Sequence, residues 1–512
     1  MSPAVLTLLP VFLIALSATA GAVIFTLPEN AVRLRSTINL AAAGVKVAVI
    51  LALVPLILED DVAPEFRAPF LPGIDFVLKI DSLSLLFAAL SSVLWLLTTV
   101  YAIGYLEGGA NRSRFFGFFS LCVTATVGIS FAGNLVTSLL FYEMLTLVTY
   151  PLVAHTGTPE ALKAARLYLF YALGGGLLLL IGIAWLTALV GPVEFRAGGV
   201  SEIATLAVQE PAIAAALFGI LAVGLGVKSA LFPLHGWLPR AMVAPAPVSA
   251  LLHAVAVVKA GVFGLTRLID DLYGVPVATS LGVLSPLLVV AAVTVIYGSL
   301  QALVQDDIKK RLAYSTVSQV SYIVLGLSMV SIAATTGGIV HLVHQGLAKI
   351  TLFFCAGAVA EALGITKVRE LAGLGRRMPS TAVAFTVAAL AMIGLPPLAG
   401  FITKWQLGLG AIESGSTWVL GVLAVSALLN AAYFLPLVIA MWFRRPEPDQ
   451  TEPDQTGAGP SRAGVAVIRT VPRSLLWPPV VTASLTVLAG LLATQAYSPL
   501  SLATEIAERV FP

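Results

Sequence analysis

Apolar residues fill long runs along this chain, and short segments rich in charged residues, proline and glycine separate the runs. A run of about 18 or more apolar residues is long enough to cross a hydrocarbon core of about 30 Å as an α-helix. The pattern therefore predicts an all-α polytopic membrane protein. About fourteen spans are predicted by hydropathy, at 4–25, 37–58, 80–106, 114–132, 134–155, 164–190, 211–238, 248–267, 279–303, 311–330, 335–362, 380–408, 417–443 and 475–496.

The composition of the chain agrees with this pattern. Its 512 residues have a mean hydropathy of +0.97, and 11% of them are charged, against about 25% in an average soluble domain. The first apolar run has no basic residue before it, and we interpret it as a retained helix rather than a cleaved signal. Cys122 and Cys355 lie in separate apolar runs without metal-ligand spacing, so neither a disulfide nor a cysteine-bound metal is expected.

The basic residues of the connections predict the orientation of the spans. Most of them fall in alternate connections, beginning with Arg33 and Arg35 between the first two spans. Lys and Arg near span ends are retained on the cytoplasmic side of a membrane, so these connections are predicted to be cytoplasmic. An even number of spans, with both termini outside the bacterial inner membrane, satisfies the alternation. The longest polar segment, 444–474, lacks any hydrophobic period and is predicted to be a disordered cytoplasmic loop.

Five lysines remain inside the predicted spans after the connections are removed. A charge at the bilayer centre costs at least about 2.5 kcal/mol on the mildest scale, so such residues face the bundle interior and commonly serve ion or proton transfer. Lys46 lies in an otherwise bland helix, and snorkelling or packing at the lipid edge is favoured for it over proton transfer. The other four are candidates for a proton path: Lys228, Lys259, Lys349 and Lys404.

Glu143 is the clearest acidic residue inside a span. A carboxylate near a buried lysine stabilises the charged form of both groups. A Glu–Lys pair that opens and closes would therefore switch the proton affinity of its lysine. A purely structural ion pair is the alternative interpretation.

Prolines break two of the predicted spans beside a lysine. Pro233 and Pro239 interrupt the seventh span after Lys228, and the dipeptide 396–397 interrupts the twelfth before Lys404. A proline removes a backbone hydrogen bond of the helix, and transporters place ion sites at such discontinuous helices. The helix breaks at Pro233, Pro239, Pro396 and Pro397 therefore predict an internal repeat with one site in each half.

Histidines extend the set of polar groups inside the spans. His253 and Lys259 lie six residues apart, about 120° around a helix axis, so they are expected to face two different neighbours. His341 and His344 lie one turn apart on the same half of a helix as Lys349, which is typical of a hydrogen-bonded proton wire. Interhelical hydrogen bonds are the structural alternative. No acidic or cysteine partner lies nearby in the sequence, so no metal site is predicted.

Several segments carry a resemblance to a known family. They read FPLHGWLP at 232–239, APAPVSALLH at 244–253, DIKKRLAYST at 307–316 and GLPPLAGF at 394–401. These segments resemble the proton-translocating membrane subunit family that joins Mrp-type Na⁺/H⁺ antiporters with the antiporter-like subunits of complex I and of membrane-bound hydrogenases. Within that family, the stretches 375–379 and 400–405 look most like the D-type subunits of Mrp antiporters.

The resemblance implies a fold of fourteen transmembrane helices with two inverted five-helix repeats, in which helices 7 and 12 are broken. The implied boundaries are 1–106 for helices 1 to 3, 107–270 for the first repeat, 271–443 for the second, 444–474 for the loop, and 475–512 for helix 14 and the tail. It also implies a switching pair formed by Glu143 and Lys228. A connecting relay would consist of Lys259, His253, His341, His344 and Lys349. Lys404 would be the terminal site. Lys404 departs from the glutamate of complex I's middle antiporter-like subunit.

The implied function is that of the proton-conducting subunit of a multisubunit Na⁺/H⁺ antiporter. Its partners would be other membrane subunits, with protons and Na⁺ as the transported ions; no cofactor and no nucleic acid are expected. One alternative is the proton-pumping membrane subunit of a complex I-like NADH–quinone oxidoreductase or of a membrane-bound hydrogenase. Another is the membrane subunit of an inorganic-carbon uptake complex. The chain is expected to be a transporter subunit rather than an enzyme, or a translocase subunit without its own redox centre.

Overall fold

Long helices make up most of the computed structural model, which describes residues 3–59, 62–106, 108–445 and 472–511. Most of the predicted loop 444–474 lies outside these residues. The first six helices are α1 (Pro3–Thr26), α2 (Val32–Leu58), α3 (Ser82–Tyr105), α4 (Arg112–Phe131), α5 (Leu135–Val153) and α6 (Pro159–Val190).

A β-hairpin between α2 and α3 was not predicted. Its antiparallel strands are β1 (Glu65–Leu71) and β2 (Ile74–Lys79). The side chain of Arg67 on β1 reaches Glu194, after α6, at 2.6 Å. The hairpin thus ties the connection before α3 to the one after α6, and it adds a small strand element to a helical fold.

The seventh predicted span is broken where the prolines predict it. After α7 (Ser201–Gln209), the helix α8 (Pro211–Lys228) ends at the lysine itself. The chain then continues as short turns, namely the 3₁₀ turn Leu234–Gly236, α9 (Trp237–Arg240) and the 3₁₀ turn Ala241–Val243.

The eighth span is one long helical segment, Ala246–Tyr273. It consists of α10 (Ala246–Ala250), a π-helical turn (Leu251–Val255), α11 (Val257–Thr266) and a second π-helical turn (Arg267–Tyr273). π-helical turns occur often at functional sites. The span was predicted to end at residue 267, and it continues for six more residues.

The second half of the chain repeats this order of helices. It contains α12 (Val275–Ser280), α13 (Leu284–Leu303), α14 (Ile308–Ser328), α15 (Ile332–Leu363), the 3₁₀ turn Val368–Leu371, α16 (Leu374–Arg377), α17 (Pro379–Ile393), α18 (Ala399–Glu413), α19 (Trp418–Phe443), α20 (Arg473–Leu491) and α21 (Pro499–Val510). The tail helix α21, which was not predicted, packs against α15 and α3.

Local sequence signals explain where several of these helices begin. Asn134, Thr158, Asp307 and Ser331 each accept a hydrogen bond from a backbone N–H in the first turn of α5, α6, α14 and α15. Such N-caps satisfy backbone donors that have no partner inside the helix.

Fourteen crossings follow from the described helices. Twelve are long and apolar enough to cross a membrane. The thirteenth is the 21-residue α14, whose hydroxyl and amide side chains lower its hydropathy. The fourteenth is the pair α17 and α18, each 15 residues long, or about 22 Å, so that neither crosses alone. The fold prediction is therefore confirmed.

The broken crossing is the fourth of five in each repeat, counted from α4 and from α13. Five crossings leave the chain on the opposite side of the membrane from where the first repeat began. The second repeat therefore begins on that side and is inverted relative to the first. The most enclosed helices lie at the centre. Every residue of Ala246–Tyr273 except Gly264 is buried, and α15 is buried at every position from Ala334 to Val359. A helix that is enclosed on all sides yet carries Lys and His must satisfy these groups inside the protein.

Candidate functional site

Lys228 lies at the first helix break and is held by Tyr142 of α5. Its side chain is 1% exposed. The ammonium Nζ donates a hydrogen bond to the backbone oxygen of Tyr142 and lies 3.3 Å from the centroid of the Tyr142 ring. The Tyr142 hydroxyl in turn donates to the Gly224 carbonyl at 3.2 Å. One tyrosine thus joins α5 to the end of α8 and supplies Lys228 with both a carbonyl acceptor and a cation–π contact.

Glu143 is the neighbour of Tyr142 on α5 and packs against α6. Its Oε1 is buried without a hydrogen-bond partner among the described groups. A Cβ atom at Gly176 would overlap this oxygen, so the carboxylate occupies space that only glycine leaves open. Glu143 and Lys228 interact electrostatically, yet the described ion pairs do not include them. The structure brings the predicted pair together in an open arrangement, without a direct salt bridge.

Lys259 lies on α11, directly behind the first break. A Cβ at Gly261 would overlap the backbone nitrogen of Ser229, so α11 packs closely against the residue after Lys228. The Lys259 Nζ is fully buried and has no hydrogen-bond partner in the part of the chain that the structure describes. Its charge interacts with those of His341 and Lys349 on α15. Lys259 therefore lies between the first break and α15.

His253 faces α15 from the π-helical turn of the same span. Its ring stacks on Phe353 with centroids 4.6 Å apart. Neither ring nitrogen has a partner among the described residues. Buried polar atoms of this kind are where internal water usually binds.

His341 and His344 of α15 meet at one hydroxyl group of α18. Their Nδ1 atoms lie 3.3 and 3.0 Å from Oγ1 of Thr403. A hydroxyl both donates and accepts, so Thr403 bridges two imidazoles that do not bond to each other. Sequence reasoning missed Thr403, although it directly precedes Lys404.

Lys404 spans the second helix break. Its Nζ donates to the carbonyl of Ile393, the last residue of α17, at 2.5 Å, and lies 5.8 Å from the Tyr322 ring centroid. A cation is favourable at the C-terminus of a helix because the last carbonyl groups lack partners there. Each break thus holds one lysine against backbone carbonyl groups.

Lys349 reaches the second break by a separate hydrogen-bonded chain, which was not predicted. Its Nζ donates to Ser315 Oγ at 2.7 Å, and Ser315 Oγ lies 2.8 Å from the Tyr433 hydroxyl. Tyr433 donates to the side chain of Asn430, whose amide donates to the Met392 carbonyl at 3.2 Å. Met392 precedes Ile393, the residue that holds Lys404. Of the linking residues Ser315, Tyr433, Asn430 and Met392, only Ser315 lies in a segment that carried the family resemblance.

A buried charge cluster at the far end of the eighth span was also missed. Arg267, the last residue of the predicted eighth span, is inside the helical segment and pairs with Asp81 at 2.8 Å and Asp271 at 2.6 Å. Burial opposes ionisation of Asp81, but the Arg267 charge holds its pKa below the usual value. Both carboxylate oxygens of Asp270 are buried without described partners. The eighth span was predicted to end at Arg267, and this boundary is wrong because the π-helical turn prolongs the span.

The interpretation of Lys46 as a lipid-edge residue is also wrong. Its side chain is 0% exposed, and Nζ donates to Ser17 Oγ of α1 at 2.6 Å. The helices α1 to α4 enclose it, so among the described residues its side chain does not reach the lipid-facing surface. Among the described residues, no three His, Cys, Asp or Glu side chains lie close enough together to hold a metal ion.

The comparisons with known proteins agree with this architecture. The family described as "NADH:quinone oxidoreductase/Mrp antiporter, TM" matches residues 132–430, and "NADH-Ubiquinone oxidoreductase (complex I), chain 5 N-terminus" matches 72–116. The chain is 38% identical over 376 residues to NADH-quinone oxidoreductase subunit N of Desulforudis audaxviator, covering 72% of each protein. It is 32% identical to the A/B component of a probable K⁺/H⁺ antiporter of Rhizobium meliloti, covering 75% of this chain and 38% of that one.

Solved structures show the same fold. A chain of the Mrp complex from Dietzia sp. superposes with a TM-score of 0.85 at 25% identity, covering 100% of this chain and 98% of the other. A chain of respiratory complex I from Thermus thermophilus gives a TM-score of 0.71 at 25% identity, covering 96% and 99%. This chain belongs to the NADH:quinone oxidoreductase/Mrp antiporter family. It is a multi-pass, proton-translocating, antiporter-like membrane subunit of that family.

Proposed function

We propose that the chain is the proton-conducting subunit of a multisubunit monovalent cation/proton antiporter. The observation that carries the proposal is the series of buried amines and imidazoles between the two helix breaks. Lys228, which is buried, and Lys404, which is half-buried, lie at the ends of the series, and the buried Lys259, Lys349 and histidines lie between them. Buried ionisable groups in membrane proteins commonly mark ion pathways and proton relays.

Lys228 and Glu143 act as the switch of this path. When the carboxylate approaches Lys228, the pair stabilises the ammonium form. When it withdraws, an ammonium in apolar surroundings is costly, and the proton moves toward Lys259 behind the break. The free Oε1 of Glu143 and the single carbonyl acceptor of Lys228 leave both groups able to move between these states.

The path continues from Lys259 to Lys404 across α15. His341 and His344 pass the proton through the Thr403 hydroxyl, one residue from Lys404. Lys349 takes part through repulsion, because two like charges in a low-dielectric interior raise each other's energy. Protonation of Lys259 therefore drives the proton of Lys349 toward Ser315.

The topology and partners are part of the same proposal. The basic connections face the cytoplasm, and both termini lie outside the inner membrane of a bacterial cell. The similar chains of known structure belong to multisubunit membrane complexes, which supports neighbouring membrane subunits for this chain. Na⁺ is the proposed exchanged cation, carried with the help of a neighbouring subunit.

A second candidate is the pumping subunit of a redox-driven complex. The 38% identity to NADH-quinone oxidoreductase subunit N favours it. The same proton path would then be driven by a neighbouring redox subunit. Purification of the intact complex and identification of its subunits distinguishes the two: small cation-antiporter subunits support the first, and cluster-binding subunits support the second.

Proton conduction itself is tested by Glu143→Gln and Lys228→Met in everted membrane vesicles. Each variant is expected to lower Na⁺-driven dissipation of a pH gradient by about 100-fold or more, the range for loss of a proton-transfer group. Glu160→Gln and Lys163→Met, at the exposed start of α6, are matched controls and should retain the wild-type rate. Wild-type rates in the first two variants, with the complex assembled, would overturn the proposed path.

A further inference from the structure

Lys46 is the centre of a second polar group, away from the two helix breaks. It lies in the middle of α2, with Nζ 2.6 Å from Ser17 Oγ of α1 and 5.2 Å from the Trp95 ring centroid of α3. The side chain is fully buried. In the part of the chain that the structure describes, α1, α3 and α4 enclose it.

This ammonium has no counter-charge in the helices around it. The described sequences of α1 and α3 contain no Asp, Glu, Lys or Arg, and the only charges of α4 are Arg112 and Arg114 in its first turn. On α2 itself, the other charges are Arg33 and Arg35, also at the first turn. A buried charge without a partner is strongly destabilising. Stability alone therefore does not account for a lysine at this position.

A column of hydrogen bonds leads from Lys46 along α2 and α4. Ser17 Oγ also accepts from Thr124 Oγ1 at 2.9 Å. Thr124 Oγ1 also donates to the backbone carbonyl of Ser120 at 3.0 Å, and the Ser120 hydroxyl donates to Asn39 Oδ1 at 3.0 Å. Ser120 and Thr124 are four residues apart on α4, and Asn39 and Lys46 are seven residues apart on α2. These spacings place the groups on the facing sides of the two helices.

The column ends at Glu29, outside the membrane spans. Arg35 of α2 donates to Ser113 Oγ at 2.7 Å, and the Glu29 carboxylate accepts from the backbone N–H of Ser113 at 3.0 Å and of Arg112 at 2.9 Å. The Glu29 side chain is 47% exposed. Burial acts against its ionisation, but these N–H groups hold its pKa below the usual value. The column is about 16 Å long, measured as the eleven residues from Arg35 to Lys46, and so joins bulk water to the middle of the bilayer.

We infer that Lys46 is a second proton-binding site, loaded from the Glu29 end of this column. The neutral amine accepts a proton from the Ser17 hydroxyl, which regains one from Thr124 Oγ1. Water among the polar side chains of the column carries protons between Thr124 and the Glu29 end, and the ammonium returns its proton by the same route. Hydroxyl groups both donate and accept hydrogen bonds, so the column can reverse its direction. The site is separate from the Glu143–Lys404 path, and it rests on the proposed function only in using proton transport as its readout.

The competing explanation is that these polar groups only join the helices to each other. The variant Lys46→Gln separates the two, because glutamine keeps a donor for Ser17 but cannot take up a proton. A proton-binding role predicts a loss of antiport rate of about 10-fold or more with normal assembly of the complex. A purely structural role predicts the wild-type rate.

A second pair of variants leaves Lys46 in place. Thr124 and Thr126 are both buried on α4 and both bond to a carbonyl of their own helix, but only Thr124 also donates to Ser17. Thr124→Val is expected to slow antiport several-fold, and Thr126→Val should match the wild type. This comparison decides the question even if Lys46→Gln fails to assemble.

The experiment measures Na⁺-dependent proton flux in everted vesicles that contain the whole complex, between pH 6.5 and 9. Wild-type rates for Lys46→Gln, or for Thr124→Val, would overturn the second site. Lys228→Met, measured alongside, keeps the two proposals distinguishable. If Lys228→Met loses proton flux and Lys46→Gln keeps the wild-type rate, only the second site is rejected. If Lys228→Met keeps the wild-type rate, the proposed path is rejected.

Discussion

Lys404 and Ile393 join the two halves of a broken helix, since the Lys404 ammonium donates to the Ile393 carbonyl at 2.5 Å. The lysine belongs to α18 and the carbonyl ends α17, so the contact closes the gap at Pro396 and Pro397. A change of protonation at Lys404 alters this contact directly. The second break therefore couples the charge of one side chain to the geometry of a helix.

Gly394→Ala tests this coupling. Gly394 has φ +92°, and a Cβ atom there would lie 2.6 Å from Lys404 Cδ. The methyl group is expected to displace Lys404 and to lower proton flux by about 10-fold, in addition to a backbone strain of about 1 kcal/mol. Flux in everted vesicles is the measurement. Gly415→Ala is the control, since Gly415 has φ +71° but no atom within 4 Å of its Cβ position; an equal effect in both variants would refute the coupling.

Gly176→Ala should perturb the Glu143 switch from a neighbouring helix. A Cβ at this position overlaps Oε1 of Glu143, so the carboxylate must move relative to Lys228. Antiport is expected to fall by about 10-fold or more, because misplacement of a reacting group by 1 Å can cost about 100-fold. Gly174→Ala, on the same helix with no atom within 4 Å, should behave as the wild type. An active Gly176→Ala variant would show that the position of Glu143 is not critical.

Thr403→Val removes the hydroxyl that joins His341 and His344. The imidazoles then lose their shared partner while the volume of the side chain is kept. We expect proton flux to decrease by about 100-fold, as for the loss of a proton-transfer group, and Thr403→Ser to restore most of it. Both variants should be measured in assembled complexes. A slow Thr403→Ser variant would indicate that packing, and not the hydroxyl, is important at this site.

Tyr433→Phe interrupts the chain from Lys349 to the second break. The missing hydroxyl leaves Ser315 and Asn430 without their common partner, at a cost of about 1–3 kcal/mol in unfolding free energy. Proton flux should fall by about 10-fold. Tyr273→Phe removes another buried hydroxyl, bonded to the Ala214 carbonyl at 2.9 Å, and should lower stability without changing the flux. The thermal midpoint of the complex and its proton flux together separate the two effects; unchanged flux in Tyr433→Phe would exclude this branch.

The crossings and the buried lysines could be predicted from the sequence because both depend on local energies. Transfer of a helix into the bilayer depends on the apolar residues of that helix alone. The cost of a charge inside it marks Lys228, Lys259, Lys349 and Lys404 without any knowledge of their neighbours. The prolines marked the breaks for the same reason, since a missing N–H group is a property of one residue.

The partners of these groups could not be predicted from the sequence. Thr403, Tyr433 and Asn430 are ordinary helix residues until α14, α15, α18 and α19 pack together. The same holds for Arg267, whose place inside a π-helical extension depends on Asp81 at the start of α3.

Lys46 shows the difference most clearly. Its sequence neighbourhood alone favoured the lipid edge, because hydropathy records how apolar a helix is but not which helix faces it. The tertiary structure instead encloses Lys46 between α1, α3 and α4 and hydrogen-bonds it to Ser17. The sequence by itself determined how many times the chain crosses the membrane and which lysines enter it. Only the packing of distant helices decided which groups those charges meet, because a hydrogen bond depends on a separation of about 3 Å in space and not on separation along the chain.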